Sequence, residues 1–188
     1  MPRIQPVEYD RAEPAQREAH DDHERHHGRM TNMKRTLLHS LPSFHALMEW
    51  YPLRDTLRPF LGDRATTIFA HAISAQTECL ICSTFFRRLL IDAGDDPDDL
   101  TLNEVEELLV EFGRQLAKDP KGVDDALYDR LTARFSSGEI VALTAFGAIM
   151  LATNIFNDAL RVDLDGYLEP YRARAERTTG EETRHARS

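Results

Sequence analysis

The spacing of apolar residues is the feature that most restricts the fold of this chain. In one segment, apolar side chains recur at intervals of three and four residues: Phe44, Leu47, Met48 and Tyr51. Such spacing places them on one face of an α-helix. No stretch of useful length alternates apolar and polar residues, which is the pattern of a half-buried β-strand. The sequence therefore predicts a single-domain, all-α fold of about six to eight helices with short connections.

Capping and breaking residues predict where several of these helices begin and end. Pro14 opens the first helix, and Gly28 closes it. Thr101 and Glu104 have the spacing of a capping box, which predicts the start of a helix after an acidic loop. The most apolar segment, residues 139–160, is interrupted by too many polar residues for a membrane span, so we expect a buried helix.

Composition divides the chain into three parts. Residues 1–27 form a polar N-terminal arm and helix, residues 28–165 a helical domain, and residues 166–188 a polar C-terminal tail. The N-terminal residues lack the apolar core of a signal peptide, and no run approaches the roughly 20 apolar residues of a membrane span. We therefore expect a cytoplasmic protein with no membrane partner.

The charge of the chain restricts its partners. Lys and Arg number 23 and Asp and Glu number 32, which gives a net charge of −9. A nucleic acid repels such a chain, and no segment is both basic and aromatic enough to bind one. We therefore expect no nucleic-acid partner. Long apolar helix faces in an acidic chain fit a buried helical interface, so we expect a homo-oligomer.

The two cysteines of the chain, Cys79 and Cys82, form a C-x-x-C motif. A structural disulfide joins distant segments, and this pair does not. At a helix N-terminus, the free N–H groups and the helix dipole stabilise a thiolate, so the motif predicts a nucleophilic sulfur of lowered pKa. The second sulfur can then resolve the oxidised first one. Two inert buried thiols and a zinc site are the alternatives, although no second C-x-x-C or nearby His pair completes a zinc set.

Three segments resemble the alkylhydroperoxidase D branch of the carboxymuconolactone decarboxylase family. They are residues 29–42 (RMTNMKRTLLHSLP), 69–82 (FAHAISAQTECLIC) and 152–160 (ATNIFNDAL), and they follow the order found in that family. The resemblance spans residues 28–165. It implies an all-helical fold that assembles into trimers or hexamers, with a dimer as the alternative.

The resemblance also implies thiol peroxidase or disulfide reductase chemistry. Cys82 would attack the O–O bond of a peroxide substrate, and Cys79 would condense with the resulting sulfenic acid to form a disulfide. A thiol reductant or an adaptor protein would reset the pair, and no metal or cofactor is implied. The alternative function is a non-catalytic or redox-sensing helical oligomer of the same family. The decarboxylase branch proper is a third and less favoured reading.

The proton relay implied by the resemblance is absent from this sequence. The resemblance places a glutamate and a histidine at positions that hold Thr67 and Phe86 here, and neither residue moves protons near neutral pH. His71 lies one helical turn beyond Thr67 and is the predicted substitute, deprotonating Cys82 directly or through water. A histidine at the edge of the core, bonded to a carbonyl group, is the alternative role.

Two further groups of polar residues are notable. Asn154 and Asn157 interrupt an otherwise apolar helix, where buried amides need partners. These amides either line the active-site pocket or bind backbone groups across an interface, and we favour the second, structural role. The other group is a cluster of four histidines: His20, His23, His26 and His27. Two of them have the i, i+4 spacing of metal ligands, but the charged flanking sequence favours a solvated helix.

Overall fold

Eight α-helices make up most of residues 1–173, the part of the chain that the computed structural model describes. The α-helices are α1 (Pro14–His27), α2 (Asn32–Leu37), α3 (Leu41–Met48), α4 (Trp50–Gln76), α5 (Leu80–Asp92), α6 (Glu104–Lys118), α7 (Asp125–Thr132) and α8 (Ser137–Leu160). Short 3-10 helices cover Tyr9–Arg11, Pro120–Gly122 and Gly166–Tyr171. No described residue lies in a strand. The prediction of an all-α fold is confirmed.

α4 is the central helix and packs against α5, α6 and α8. Its side chains Leu57, Phe69 and Ile73 are fully buried. The ring of Phe69 stacks on Phe112 of α6, with 6.0 Å between the ring centroids. Gly113 allows this close approach of α6, because a Cβ atom there would lie 3.1 Å from the side chains of Ile73 and Phe69. This packing fixes the C-terminal end of α4, from which α5 departs.

A break divides α4 into two halves at Gly62. The backbone of Gly62 has a φ of 76° and a ψ of 172°, a conformation that glycine adopts easily and other residues rarely do. The first half begins at Trp50, and the second half contains Thr66 and Thr67. Because the axis changes direction between them, both halves contribute to the wall of one cavity, described below.

α6 begins two residues later than the sequence predicts. The side-chain oxygen of Asn103 accepts a hydrogen bond from the N–H of Glu106, and the Glu106 carboxylate accepts one from the N–H of Asn103. The predicted capping box of Thr101 and Glu104 is therefore wrong. Both pairs have the required spacing, but Glu106 is buried and forms an ion pair with Arg64 of α4. Because this ion pair fixes the position of Glu106, the capping box forms between Asn103 and Glu106.

The N-terminal arm packs against the helical domain. Val7 is buried in an apolar cluster together with Leu38 and Phe44. The backbone N–H of Arg3 donates to the carbonyl oxygen of Leu160 at 2.9 Å. The arm therefore contacts both an early helix and the end of α8.

The start of the expected C-terminal tail packs against α5. Gly166–Tyr171 is a 3-10 helix in which Leu168 is buried. Nε of Arg87 in α5 donates to the carbonyl oxygen of Tyr171 at 3.2 Å. The remainder of the expected tail, residues 174–188, lies outside the described residues.

Among the described helices, α8 alone is long and apolar enough to cross a membrane, judged by length and composition only. It packs against α4, α5 and α6, and it contributes buried polar residues to the site described below. These contacts are typical of the core helix of a folded domain.

Candidate active site

The C-x-x-C motif lies where α4 ends and α5 begins. The N–H of Glu78 donates to the carbonyl oxygen of Ala75, and the N–H of Cys79 donates to that of Ser74, both at 3.1 Å. These two bonds form a Schellman motif, which closes an α-helix. Glu78 occupies its left-handed position, with a φ of 56°. The turn makes Cys79 the N-cap of α5 and places Cys82 in the first turn of that helix.

The two thiols differ in their exposure to solvent and to a neighbouring cavity. Cys79 is fully buried, whereas Cys82 is 8% exposed and lines a cavity of about 850 Å³. Both cysteines are free thiols. Protein cavities of about 300–1,000 Å³ typically hold small organic molecules. A molecule in this cavity would therefore meet the sulfur of Cys82.

Polar side chains of α8 hold the motif from the other side. Nδ2 of Asn157 donates to Sγ of Cys82 at 3.3 Å. One turn earlier, Nδ2 of Asn154 donates to the Thr77 hydroxyl at 2.8 Å, in the turn that precedes the motif. Asn157 also lines the cavity. Of the two roles left open by the sequence, Asn157 therefore lies in the pocket, and Asn154 has the structural one.

The pKa of the Cys82 thiol lies well above its usual range. The hydrogen bond with Cys79 has the largest effect, and burial adds to it. The Asn157 amide and the Thr153 hydroxyl act in the opposite direction. The predicted lowering of the pKa by the helix N-terminus is therefore wrong for the reduced pair, because burial and the neighbouring sulfur both disfavour the thiolate. Cys82 is a thiol at neutral pH and needs a proton acceptor to react.

Asp158 of α8 lies beside the other sulfur. A hydrogen bond with Cys79 lowers the pKa of the Asp158 carboxyl, although partial burial has the larger effect and raises that pKa overall. The carboxyl group is therefore close to Cys79 and belongs to an exposed residue of α8. Sequence reasoning missed this residue. Its spacing of four residues from Asn154 was the available signal, because that spacing puts both side chains on one helix face.

The predicted base, His71, is not among the residues that line the Cys82 cavity. Burial, followed by the charge of Arg87, lowers the pKa of His71 to about 4, against a smaller opposing effect of Asp98. The imidazole is therefore neutral at pH 7 and only weakly basic. Its role as the base for Cys82 stays a prediction.

Both positions of the missing relay face the cavity. Thr67 and Phe86 belong to its lining. The Thr67 hydroxyl donates to the carbonyl oxygen of Asp63 at 2.8 Å, within its own helix. The structure therefore brings these two positions to the cavity with Cys82, but their side chains offer no group that titrates near pH 7.

The remaining wall of the cavity is aromatic and positively charged. Its aromatic residues include Trp50, Tyr51, Phe85, Phe86 and Tyr167. Its basic residues are Arg29, Lys34, Arg54, Arg58, Arg64 and Arg88, and its carboxylates are Asp63, Asp95 and Asp165. In a chain with a net charge of −9, the excess of basic residues around this cavity is a local reversal of charge.

The N-terminal histidine cluster is divided by burial. His23 is 4% exposed, and its ring meets those of Phe44 and Tyr51 at steep angles. His27 stacks on Tyr51 with 3.8 Å between the ring centroids. The favoured reading of a solvated helix is therefore wrong for His23, because the helix packs this side chain against α3 and α4. Within residues 1–173, no group of three or more His, Cys, Asp or Glu side chains is arranged to hold a metal ion.

Comparison with known proteins identifies the fold. No protein-family model and no curated protein matches the sequence. The debrominase Bmp8, solved as a cysteine-to-alanine variant in complex with 2,3,4-tribromopyrrole, has a TM-score of 0.74 at 16% identity, covering 89% of this chain and 94% of that chain.

Two peroxidase-related proteins are also similar in structure. The one from Ralstonia eutropha JMP134, with an alkylhydroperoxidase AhpD core, has a TM-score of 0.73 at 16% identity, covering 89% of this chain and 94% of that chain. The one from Silicibacter sp. TM1040 has a TM-score of 0.65 at 13% identity, covering 87% and 93%. The chain therefore has the helical AhpD-like fold, as its sequence predicts.

Proposed function

We propose that this chain is a thiol-dependent peroxidase of the alkylhydroperoxidase D type, in which Cys82 attacks the peroxide and Cys79 resolves the product. The observation that carries the proposal is the difference in access between the two thiols. Cys82 lines the cavity, whereas Cys79 is fully buried and within hydrogen-bonding reach of it. A reacting thiol next to a protected resolving thiol is what a two-cysteine mechanism requires.

The reaction consumes one peroxide and oxidises one dithiol. The Cys82 sulfur attacks the terminal oxygen of ROOH, the O–O bond breaks, and Cys82 becomes a sulfenic acid. The departing alkoxide takes a proton from solvent, so ROH leaves neutral, and the proton that Cys82 releases passes to the carboxylate described below. The Cys79 sulfur then attacks the Cys82 sulfur, an S–S bond forms, and the hydroxyl group leaves with the Cys79 proton as water. A dithiol reductant or an adaptor protein returns both electrons to the pair.

Asp158 provides the route for the proton in this proposal. Because the pKa of Cys82 is raised, its proton must move as the sulfur attacks. Cys79 lies close enough to both Cys82 and Asp158 to affect their pKa values, so a proton can pass from the first sulfur to the second and on to the carboxylate. Asp158 thus takes the place of the relay glutamate and histidine that this sequence lacks.

The size of the cavity favours an organic hydroperoxide over hydrogen peroxide. Hydrogen peroxide occupies a space close to that of two water molecules, about 60 Å³. A cavity of about 850 Å³ with aromatic walls can surround a much larger apolar group. The proposed substrate is therefore an organic hydroperoxide whose carbon skeleton lies against the aromatic wall.

Consumption of cumene hydroperoxide with dithiothreitol as reductant tests the proposal. The wild type is expected to turn over repeatedly, and Cys82→Ser is expected to have no activity above background. Cys79→Ser is expected to lose catalytic disulfide formation. Absence of peroxide consumption by a folded, fully reduced wild type, or full activity of Cys82→Ser, contradicts the proposed function.

Two further variants test the proton route. Asp158→Asn should slow disulfide formation and flatten its rise with pH, whereas Asp163→Asn, an exposed residue beyond the end of α8, is the matched control. His71→Ala tests the prediction made from the sequence. An unchanged rate in His71→Ala eliminates the histidine as the base, and an unchanged rate in Asp158→Asn eliminates the carboxylate.

Reductive dehalogenation of an aromatic compound is a second candidate function. The observation that favours it is the likeness in fold to Bmp8, a debrominase, together with the aromatic cavity beside Cys82. In such a reaction the Cys82 sulfur takes the halogen while the ring carbon takes a proton. Cys79 then displaces the halide, and the disulfide forms. Bromide release from 2,3,4-tribromopyrrole by the reduced chain, without activity on hydroperoxides, would favour this function.

A redox-sensing, non-catalytic oligomer is the remaining alternative. A sensor would form the Cys79–Cys82 disulfide with peroxide but would not turn over with an excess of reductant. The repeated turnover expected above therefore distinguishes the two functions.

The cytoplasmic location expected from the sequence agrees with a thiol pair that is reset by cellular reductants, and this location is part of the proposed function.

A further inference from the structure

A buried lysine forms part of the cavity wall. Lys34 is 8% exposed, and its Nζ donates to the carbonyl oxygen of Arg29 at 3.0 Å and to the Tyr51 hydroxyl at 2.8 Å. Both acceptors are neutral. An ammonium group has three N–H donors, so one of them is left for the cavity. Among the described residues, Lys34 has no partner for an ion pair.

Holding this charge inside the protein is costly. Burial lowers the pKa of Lys34 to about 8, so the group is still largely protonated at pH 7. The carboxylate that acts on it, Asp165, is tied to the N–H of Asn32 at 2.9 Å and forms no direct ion pair with Lys34. A buried cation whose direct partners are both neutral, and whose nearest carboxylate is beyond ion-pair distance, can accept a further anion.

A second cation lies on the same wall. The guanidinium group of Arg29 lies 4.2 Å from the centroid of the Tyr167 ring and, within residues 1–173, has no ion-pair partner. Arg88 approaches the same ring at 5.4 Å, and its Nε lies 3.5 Å from the carboxylate of Asp92. The ring of Tyr167 thus contacts two guanidinium groups, of which Arg88 forms an ion pair with Asp92 and Arg29 forms none among the described residues.

We propose that Lys34 and Arg29 form a subsite for the carboxylate of an aromatic organic acid, so that the hydroperoxide reduced at Cys82 carries such a carboxylate. Lys34 supplies a point charge with a free N–H, and the Arg29 guanidinium can bind both oxygens of a carboxylate. The aromatic walls at Trp50 and Tyr51 suit a flat apolar body. The nature of the reacting group rests on the proposed function, but the anion subsite does not.

The other charges of the cavity leave this subsite positive. Arg58 pairs with Asp63, and Arg64 pairs with both Asp95 and Glu106. These pairs lie near the break in α4, and their three carboxylates outnumber their two guanidinium groups, so they leave no unpaired positive charge there. The carboxylate that faces the subsite is Asp165, against two cations without ion-pair partners. The net local charge therefore favours an anion.

The sole tryptophan of the chain provides the measurement. Trp50 lines the cavity, so a ligand that enters it should change the intrinsic fluorescence. We would titrate the wild type with 4-isopropylbenzoate and with the neutral 4-isopropylbenzamide, which differ in charge but hardly in shape. The expected result is at least tenfold tighter binding of the carboxylate, and weaker binding at high salt.

Variants show whether the subsite causes that preference. Lys34→Met keeps the apolar stem and removes the charge, and it should abolish the preference for the carboxylate. Arg29→Gln should reduce it. Lys118→Met, at an exposed position of α6, is the matched control and should keep it. If Lys34→Met fails to fold, Arg29→Gln together with the matched pair of ligands decides the question.

The outcomes separate this inference from the proposed function. Cys82→Ser should keep the preference for the carboxylate while losing peroxide reduction. Equal affinity for the two ligands, or an undiminished preference in folded Lys34→Met and Arg29→Gln, would overturn the inference even if the chain reduces cumene hydroperoxide. A carboxylate preference in a chain that reduces no peroxide would support the subsite and contradict the proposed function instead.

Discussion

At the scale of single residues, the chemistry depends on the different surroundings of two identical thiols. Cys79 has no access to solvent and lies close to Cys82 and Asp158. Cys82 faces a cavity and accepts a hydrogen bond from Asn157. The proposed attack by Cys82 and resolution by Cys79 rest on this difference.

Replacing Asn157 by Ala should slow the reaction of Cys82. The Asn157 amide lowers the pKa of Cys82, so its loss raises that pKa further. A hydrogen bond to a charged group contributes about 1.5–3 kcal/mol, which corresponds to one or two pKa units. The alkylation rate of Cys82 measured against pH should therefore shift to higher pH by about one unit. Asn154→Ala, on the same helix but bonded to Thr77, is the control, and an equal shift in both variants would contradict the assignment.

The sequence predicted that the two thiols lie together at the start of a helix, but not all of their partners. Cys79 and Cys82 could be identified because a C-x-x-C motif is local. Asn157 could be noticed as a polar residue in an apolar helix, but its partner lies 75 positions away in the sequence. The raised pKa of Cys82 could not be predicted, because burial depends on the packing of α8 over the motif.

At the scale of the helices, two local conformations place the thiols and the cavity. The Schellman motif at the end of α4 puts Cys79 directly before α5, with Glu78 in the left-handed conformation. Gly62 bends α4 so that both of its halves reach the cavity. The start of α6 shows the limit of local patterns, since two overlapping capping boxes fit the sequence and a contact with Arg64 selects one.

Replacing Gly62 by Ala should destabilise the fold without a steric clash. A Cβ atom at Gly62 would have no neighbour within 4 Å, so the cost comes from its positive φ, about 1–2 kcal/mol. Gly138, in the first turn of α8, also has free space around it and no positive φ. Gly138→Ala should therefore leave the free energy of unfolding unchanged or raise it slightly. Urea unfolding measures both, and equal effects of the two variants would contradict this explanation.

At the scale of the whole molecule, α8 connects the site to the surface. Its inner face holds Asn157 against Cys82, while Val141 and Ile155 on the same helix are 68% and 66% exposed. Apolar side chains so exposed on a long helix are suited to contact another protein surface. The homo-oligomer expected from the sequence, a trimer, hexamer or dimer, stays a prediction.

Light scattering after size-exclusion chromatography tests the oligomer. We expect the wild type to exceed the 21.5 kDa of one chain by a whole-number factor. Val141→Asp combined with Ile155→Asp should reduce that mass while the helical circular dichroism is kept. Lys118→Asp, an exposed position on α6, should not. A wild type of 21.5 kDa at micromolar concentration would contradict the prediction.

The stability of the fold should fall in mild acid. The pKa of His71 is lowered from 6.5 to about 4 and that of His23 to about 3, chiefly by burial. Below pH 6.5 the unfolded chain therefore binds protons that the folded chain does not, so stability decreases as the pH falls from 6.5 to 4. The Tm should drop as the pH falls within that window.

Two variants identify the source of this dependence. His71→Gln should make the decrease of Tm between pH 6.5 and 4 shallower, because it removes one of the groups that the unfolded chain protonates. His45→Gln, at an exposed position, is the control. The same slope in the wild type, His71→Gln and His23→Gln would show that buried histidines do not cause the acid sensitivity.

The central claim is that Cys82, the thiol open to the cavity, takes the oxygen atom. Its most direct test is to treat reduced Cys79→Ser with one equivalent of cumene hydroperoxide, trap sulfenic acid with a 1,3-dione, and locate the adduct by peptide mass spectrometry. We predict one adduct on Cys82 and, in a parallel experiment, none on Cys79 in Cys82→Ser. An adduct on Cys79 in Cys82→Ser, together with an unmodified Cys82 in Cys79→Ser, would contradict the assignment of the attack to Cys82.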